Sequence, residues 1–406
     1  MQLIFWFSIF MIFYAYFGYP LCLLLILPIR KMKNILSATS NQQRATNNEP
    51  SAMSHDLPSV SFIITAYNEE ARIKQKIDNS LAQDYPKNKL EIIIASDCSS
   101  DRTDEIVKSF KDKGVKLVRA PKRKGKENAQ KHAVNAAGGE IIVFSDVATI
   151  LKPNAVSNIV ANFKDASIGC VSSEDKFIDK DGNVSGEGAY VKYEMFLRKL
   201  ESKINTLVGL SGSFFAARRE VCKNWAIDLQ SDFNTLLNSI KLGLKGISDP
   251  NSIGYYENIA DERKEFNRKT RTVLRGISVL MRNLSLLNPV KYGLFSWQLF
   301  SHKLCRWLVP FLLLSVFISN AAIMFSSIFF AFTFFLQLAF YSLAFSYYRY
   351  QIENAAKSYE LRAISYKLSA ITKLCYFFIT VNTSIFVAWF KYFKGERATF
   401  WEPSKR

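Results

Sequence analysis

The apolar residues of this 406-residue chain are gathered towards its two ends, and that separation limits what the chain can fold into. Residues 3–29 are apolar apart from one serine, the tyrosines and a glycine. A run of that length can cross the roughly 30 Å hydrocarbon core of a bilayer. Arg30, Lys31 and Lys33 follow it at once, no basic stretch precedes it, and no small-residue cleavage site closes it. It is expected to be an anchor with its amino end outside and Arg30 inside, not a cleaved signal peptide. Residues 308–347 are too long an apolar stretch for one span and fit two, with a break near Ser319 and Asn320. Residues 370–390 are a last candidate. A full third span there would carry the five basic residues of 391–406 outside. That conflicts with the positive-inside tendency, so the last segment is either an exception or re-entrant or interfacial.

Between these ends the chain divides by composition. Residues 1–33 form the anchor, 34–56 a polar linker, 57–265 a soluble domain, and 266–307 basic amphipathic helices expected in the membrane interface. Residues 308–392 hold the transmembrane helices and 393–406 a basic tail. A net charge of +18 suits nucleic acid, anionic lipid or a phosphorylated substrate. The basic residues cluster beside membrane segments and in one loop, and no nucleic-acid motif stands out, so no nucleic-acid partner is expected. The six cysteines are scattered without a C-x-x-C pair and the three histidines lie far apart, which supports neither a zinc site nor a disulfide framework. A reducing cytoplasm suits the soluble part.

Within 57–165, strands and helices alternate. "SVSFIITAYN", "LEIIIASD", "VKLVRA" and "IIVFSD" read as buried strands; "EEARIKQKIDNSLAQ", "DRTDEIVKSFKDKG" and "KENAQKHAVNAAGGE" read as the helices between them. That order implies an α/β domain with a mostly parallel sheet and helices on both faces. Ligands of such sheets bind at the carboxyl ends of the strands, where Asn68, Asp97 and Asp146 fall. Further on, "CVSSED" reads as a strand, "AYVKYEMFLRKLESKI" as an amphipathic helix, "GLSGSFFAARRE" as a loop entering a strand, and "LQSDFNTLLNSIKLG" as the start of a helix.

"VSFIITAYNEE", "IIIASDCSSDRTDEIV", "GKENAQKHAVNAAGGEIIVFSD" and "SDF", in this order and spacing, resemble the family 2 glycosyltransferases. The likeness is to membrane-bound bacterial members related to the cellulose, hyaluronan and poly-N-acetylglucosamine synthases, and it covers roughly residues 57–310. It implies a GT-A-like (Rossmann-like) catalytic domain at the cytoplasmic face of the bacterial inner membrane. It also implies inverting transfer from a nucleotide-diphosphate sugar, with UDP expected, to a lipid-linked or growing glycan. Membrane lipids are further partners, and there is room for secretion or synthase subunits.

The residue roles follow the motifs. The resemblance assigns Thr65, Tyr67, Glu69 and Asp97 to the nucleotide, although Ser96 stands where the family usually has a first aspartate. Lys126 matches a family lysine near the nucleotide. Asp146 matches the first aspartate of D-x-D, whose second position is Ala148; Mg²⁺ or Mn²⁺ is implied there with one protein carboxylate missing. Asp232 matches the general base for the acceptor hydroxyl, with helix capping as the competing role and Asp228 as the fallback. Gly212 and Ser213 match the loop beside the acceptor. Arg271 holds the arginine position of the segment that closes over the diphosphate. Arg268 stands there for a glutamine and Thr272 for a tryptophan, a loss that weighs against processive polymerisation. The tail "WEPSKR" resembles a cytoplasmic tryptophan-and-basic motif. The alternative is a catalytically silent subunit of a polysaccharide synthase complex; Ser96, Ala148 and Thr272 favour it, and the retention of Asp232 with Arg271 opposes it.

Overall fold

The structure is a computed structural model and describes residues 1–30, 57–178, 189–257, 262–355 and 369–398. The linker assigned to 34–56 and the tail 401–406 lie outside the described residues. The chain divides into two compact units. One comprises Pro20–Ile259, Ser278–Leu299 and Ala398–Arg406; the other comprises Met1–Tyr19, Ala260–Ile277 and Phe300–Arg397.

The first unit is built on one sheet of eight strands: β1 (Val60–Ala66), β2 (Leu90–Ser96), β3 (Val115–Arg119), β4 (Ile141–Asp146), β5 (Ile150–Leu151), β6 (Ile168–Ile178), β7 (Phe214–Arg218) and β8 (Lys245–Glu257). Their spatial order is β3-β2-β1-β4-β7-β6-β8-β5. The β3-β2-β1-β4 half is parallel throughout, with Thr65 of β1 level with both Ala95 of β2 and Asp146 of β4. The other half is mixed: β7 runs antiparallel to β4 and β6, β8 runs parallel to β6, and β5 closes the edge antiparallel to β8.

Every residue of β1 is buried, because both faces of the sheet are covered. Phe62 and Ile64 point to one face, where they pack with Ile73, Ile77, Val107, Val156 and Ile159 from three helices. Ile63 points to the other, with Ala129 and Ala133 of the helix Lys126–Ala136 and Leu236 of the helix Ser231–Lys241. The period-two alternation of a strand thus sorts consecutive apolar residues into two cores. Two strands were not expected. β5 has only two residues, and β8 carries Gly246, Pro250 and Gly254 in place of a clean alternation.

Among the described residues four helices are long and apolar enough to cross a membrane: Gln2–Arg30, Leu294–Ser326, Ile328–Tyr350 and Ile371–Phe393. They mark a membrane protein. Two boundaries differ from the sequence reading. Residues 294–307 are not a separate interfacial helix; they open the helix Leu294–Ser326, passing through a π-helical stretch at Phe300–Cys305. The break expected at Ser319 and Asn320 falls instead at Met324–Ser327. Both polar residues are satisfied inside the helical packing: Ser319 Oγ donates to the Ser315 carbonyl at 2.7 Å, and Asn320 meets Thr333 Oγ1 at 3.2 Å. Ser8 likewise donates to Ser315 Oγ at 3.1 Å, and Tyr14 shares a hydrogen bond with Ser301 at 2.7 Å. Polar side chains in apolar helices are tolerated when they find such partners. The helix Ser369–Phe393 runs unbroken for 25 residues, where a re-entrant segment would turn back.

Candidate active site

The site lies at the carboxyl ends of β1, β2 and β4, where the loops of a parallel sheet converge. Asn68 and Cys98 follow β1 and β2 with φ of 50° and 59°, a left-handed turn at each strand end. The two loops are laced together. Asn68 Oδ1 accepts from Ser100 N at 2.8 Å, Glu69 N donates to Thr103 Oγ1 at 2.8 Å, and Glu70 N donates to Asp101 at 3.1 Å. Asp101 also accepts from the backbone N–H of Thr103 at 3.0 Å, at the start of the helix Thr103–Lys108.

Asp97 is fully buried. Its two carboxylate oxygens accept the backbone N–H groups of Lys124 and Gly125 at 3.1 and 2.9 Å. Gly125 has a φ of 101°, which a side chain would resist, and it leads into the helix Lys126–Ala136. Asp97 therefore fixes the loop that delivers Lys126. In the same loop the Arg123 guanidinium lies 3.9 Å from the ring centre of Tyr67, a stacked cation on the wall after β1. Thr65 is fully buried with its hydroxyl oxygen unbonded, and Glu69 is buried with an ion pair to Arg72 at 3.2 Å.

Lys126 is almost fully buried, and its ammonium is bonded to Asp146 and to the Gly212 carbonyl, the latter at 3.1 Å. Asp146 keeps 26% of its side chain open. Its backbone N–H donates to the Ser213 carbonyl at 3.0 Å, which docks the β4 end against the 211–213 loop. Asp146 and Ala148, the two D-x-D positions, are both half-buried, while Val147 and Thr149 are buried. Only Asp146 offers a carboxylate there. Among the described residues no group of three or more His, Cys, Asp or Glu side chains gathers to hold a metal. The residues present therefore fit a divalent ion only as one carboxylate beside ligands brought by a bound anion.

Gly212 joins the two ends of the site. Its carbonyl receives Lys126, and a Cβ built on it would stand 3.0 Å from Asp232 Oδ2. Asp232 is 7% exposed and lies in the first turn of Ser231–Lys241, inside the cap position, which Gln230 occupies. Its oxygens accept from Gln230 Nε2 at 3.1 Å and from Phe233 N at 2.9 Å. Asp228 is exposed and pairs with Arg282 at 2.6 and 3.0 Å.

Two groups here were not expected. Asp175, on β6, accepts from Ser211 Oγ at 2.7 and 2.6 Å and from Ser213 Oγ at 2.5 Å. Burial pushes its carboxyl up, against the pull of those hydroxyls and of Arg198, and the Asp146 charge pushes it the same way. Lys76, on the helix Ile73–Leu81, is fully buried; its ammonium donates to Ser145 Oγ at 2.8 Å and to the Thr149 carbonyl at 2.5 Å. Burial pulls it down to about 7, while the Asp146 charge pulls it back up. The sequence carried a trace of Lys76: three residues after Ile73 and one before Ile77, it sits on that helix's apolar face.

Arg268 and Arg271 are on the helix Glu262–Arg282, within the span Ala260–Ile277 of the other unit. Arg268 grips Glu265 with two bonds of 2.7 and 2.8 Å.

Residues 61–225 match the model of the glycosyl transferase family 2. A poly-beta-1,6-N-acetyl-D-glucosamine synthase of Staphylococcus aureus (strain COL) is 26% identical over 208 residues, 49% of this chain and 49% of its own length. The Staphylococcus epidermidis synthase of the same description is 26% identical over 178 residues, 42% of each chain. The chain thus spans about half the length of the curated relatives it matches. Among solved structures, a mannosyltransferase from Pyrobaculum calidifontis, in complex with GDP-Man and Mn²⁺, shares the fold with a TM-score of 0.59 at 20% identity. That likeness covers 92% of this chain and 100% of that one. Residues 61–225 therefore form a family 2 glycosyltransferase domain.

Proposed function

We propose that the chain is an inverting hexosyltransferase of a bacterial inner membrane, working at the cytoplasmic face. It moves a sugar from a nucleotide diphosphate, with UDP the expected leaving group, to a lipid-linked or growing glycan. The observation that carries this reading is Gly212, which holds the Lys126 ammonium on its carbonyl and leaves room for the Asp232 carboxylate at its Cα. A cation for a leaving diphosphate and a base for an attacking hydroxyl are what single displacement needs.

In this scheme the acceptor oxygen attacks the anomeric carbon as the Asp232 carboxylate takes its proton. The new glycosidic C–O bond forms as the anomeric carbon–phosphate oxygen bond breaks, and the electron pair leaves with the diphosphate. Lys126 meets the charge that develops there. Tyr67, Thr65, Glu69 and the loop held by Asp97 form the nucleotide side, and Gly212 and Ser213 the acceptor side. Asp146 would hold Mg²⁺ or Mn²⁺ together with phosphate oxygens and water, and such an ion supplies further neutralisation of the leaving charge. Arg271, with Arg268 beside it, is proposed as a diphosphate contact on its sequence position alone.

The test is a panel of nucleotide sugars offered to membranes from an expressing host, reading nucleotide release. One nucleotide sugar is expected to give release that depends on Asp232. A panel without any such release sinks the reading. Gly212→Ala gives a sharper check. The added methyl crowds Asp232 Oδ2, and misplacing a base by a fraction of an ångström is expected to cost about 10–100-fold in turnover. Nucleotide affinity, measured by calorimetry, should stay within about threefold of wild type, since no nucleotide-side group moves.

A further inference from the structure

Lys76 has no part in the scheme above, yet it is built into the same strand end. Its two hydrogen-bond partners, Ser145 Oγ and the Thr149 carbonyl, bracket the turn that presents Asp146. Thr149 N closes that turn on the Asp146 carbonyl at 3.2 Å. One turn of helix further on, Asn79 grips the next strand from both sides, donating to the Leu151 carbonyl at 2.8 Å and accepting from Leu151 N at 3.0 Å. Asn79 alone would brace this segment with neutral groups. A fully buried lysine is a costly substitute for another such brace, because its ammonium must leave water for two neutral oxygens.

The charge itself gives the lysine a use. Lys126 is ion-paired to the Asp146 carboxylate, and the Lys76 ammonium is held on the residue before it, at Ser145 Oγ. Lys126 offsets Asp146, so any charge on Lys76 is in surplus over that pair; burial holds Lys76 at about 7, and an incoming diphosphate favours its protonated form. Two aspartates at 146 and 148 would instead present two negative charges to a diphosphate and need a divalent ion between them. Ala148 removes one of those charges, and Lys76 adds a positive one from below.

Resting on the donor reading given above, we propose that Lys76 is a positioning residue that, with Lys126, gives this site a built-in positive charge. It lets the diphosphate of a nucleotide bind without a divalent cation. A metal that joins the bound donor at Asp146 is then an addition and not a requirement.

The experiment is calorimetric titration of UDP into the full-length protein in detergent, in EDTA and in Mn²⁺, with a melting curve for each variant. Wild type is expected to bind with affinities within about threefold in the two buffers. Lys76→Met should bind at least about tenfold more weakly in EDTA and recover in Mn²⁺, while Lys76→Arg keeps the wild-type value. A plain brace would lower the melting temperature without making binding respond to Mn²⁺. Ala148→Asp leaves Lys76 in place and should make binding depend on Mn²⁺, so the proposal stays testable even where Lys76→Met does not fold. UDP binding by wild type that vanishes in EDTA and returns in Mn²⁺ overturns the inference and spares the donor reading. Lys76→Met that binds in EDTA as wild type does overturns it too. No binding of UDP, GDP or ADP in either buffer sinks the donor reading, and the inference with it.

Discussion

Asp232→Asn is expected to lower sugar transfer by about 10³-fold or more while the protein folds and binds nucleotide as wild type does. The amide keeps the shape of the carboxylate, and the bond from Phe233 N can persist on its oxygen. What it loses is the capacity to take a proton. Removal of a base acting only in the transition state should appear in kcat, with the KM for the donor little changed. The measurement is nucleotide release against donor concentration, with UDP affinity measured separately. Transfer within tenfold of wild type would assign the base elsewhere. Asp228 is then a poor substitute, since it is exposed and pairs with Arg282.

The second large effect is on donor binding. Lys126→Met removes the ammonium that Asp146 and the Gly212 carbonyl share and leaves Lys76 as the remaining positive group near Asp146 when a diphosphate arrives. Truncating a buried charged group that contacts a ligand costs about 2–5 kcal/mol of affinity, so UDP affinity should fall about 30-fold or more. Asp146→Asn should have a different sign when no divalent ion is present. It takes away a negative charge and frees Lys126 for phosphate, so affinity in EDTA should hold or rise. The double substitution should fall short of the sum of its parts, as coupled neighbours do. Lys126→Met that binds UDP within about threefold of wild type would remove Lys126 from the donor site.

The parallel half of the sheet was largely legible before any coordinates. The strand–helix alternation from Val60 to Asp146 is local in sequence, and each strand there pairs with another from the same stretch. Asp97, Lys126, Asp146, Gly212 and Asp232 were each placed by motif, and the fold brings the last four into one linked set. What the sequence hid depends on distant partners. Asp175 looks like one more polar residue at a strand end until Ser211 and Ser213 arrive from a loop 36 residues further on. Lys76 shows in sequence only as a lysine on an apolar helix face, because its partners, Ser145 and Thr149, lie about 70 residues away. β8 lacked a clean alternation, since Gly246 and Pro250 sit where its register against β6 shifts. The helix break near Asn320 was misplaced for a related reason. A polar pair in apolar surroundings looks like a turn in sequence, and is a packing contact in space.

Gly212 carries one more lesson, for redesign. Anyone reshaping this site for a bulkier acceptor would turn first to the small residues of the 211–213 loop. Position 212 is the one to leave alone, because its backbone and its missing side chain serve opposite ends of the site at once. Variation at 211 and 213 alters hydroxyls that bond to Asp175 and to each other. On the proposed reading of this loop, acceptor preference is open to change at two positions, while the middle one sets the common frame that any such library must inherit.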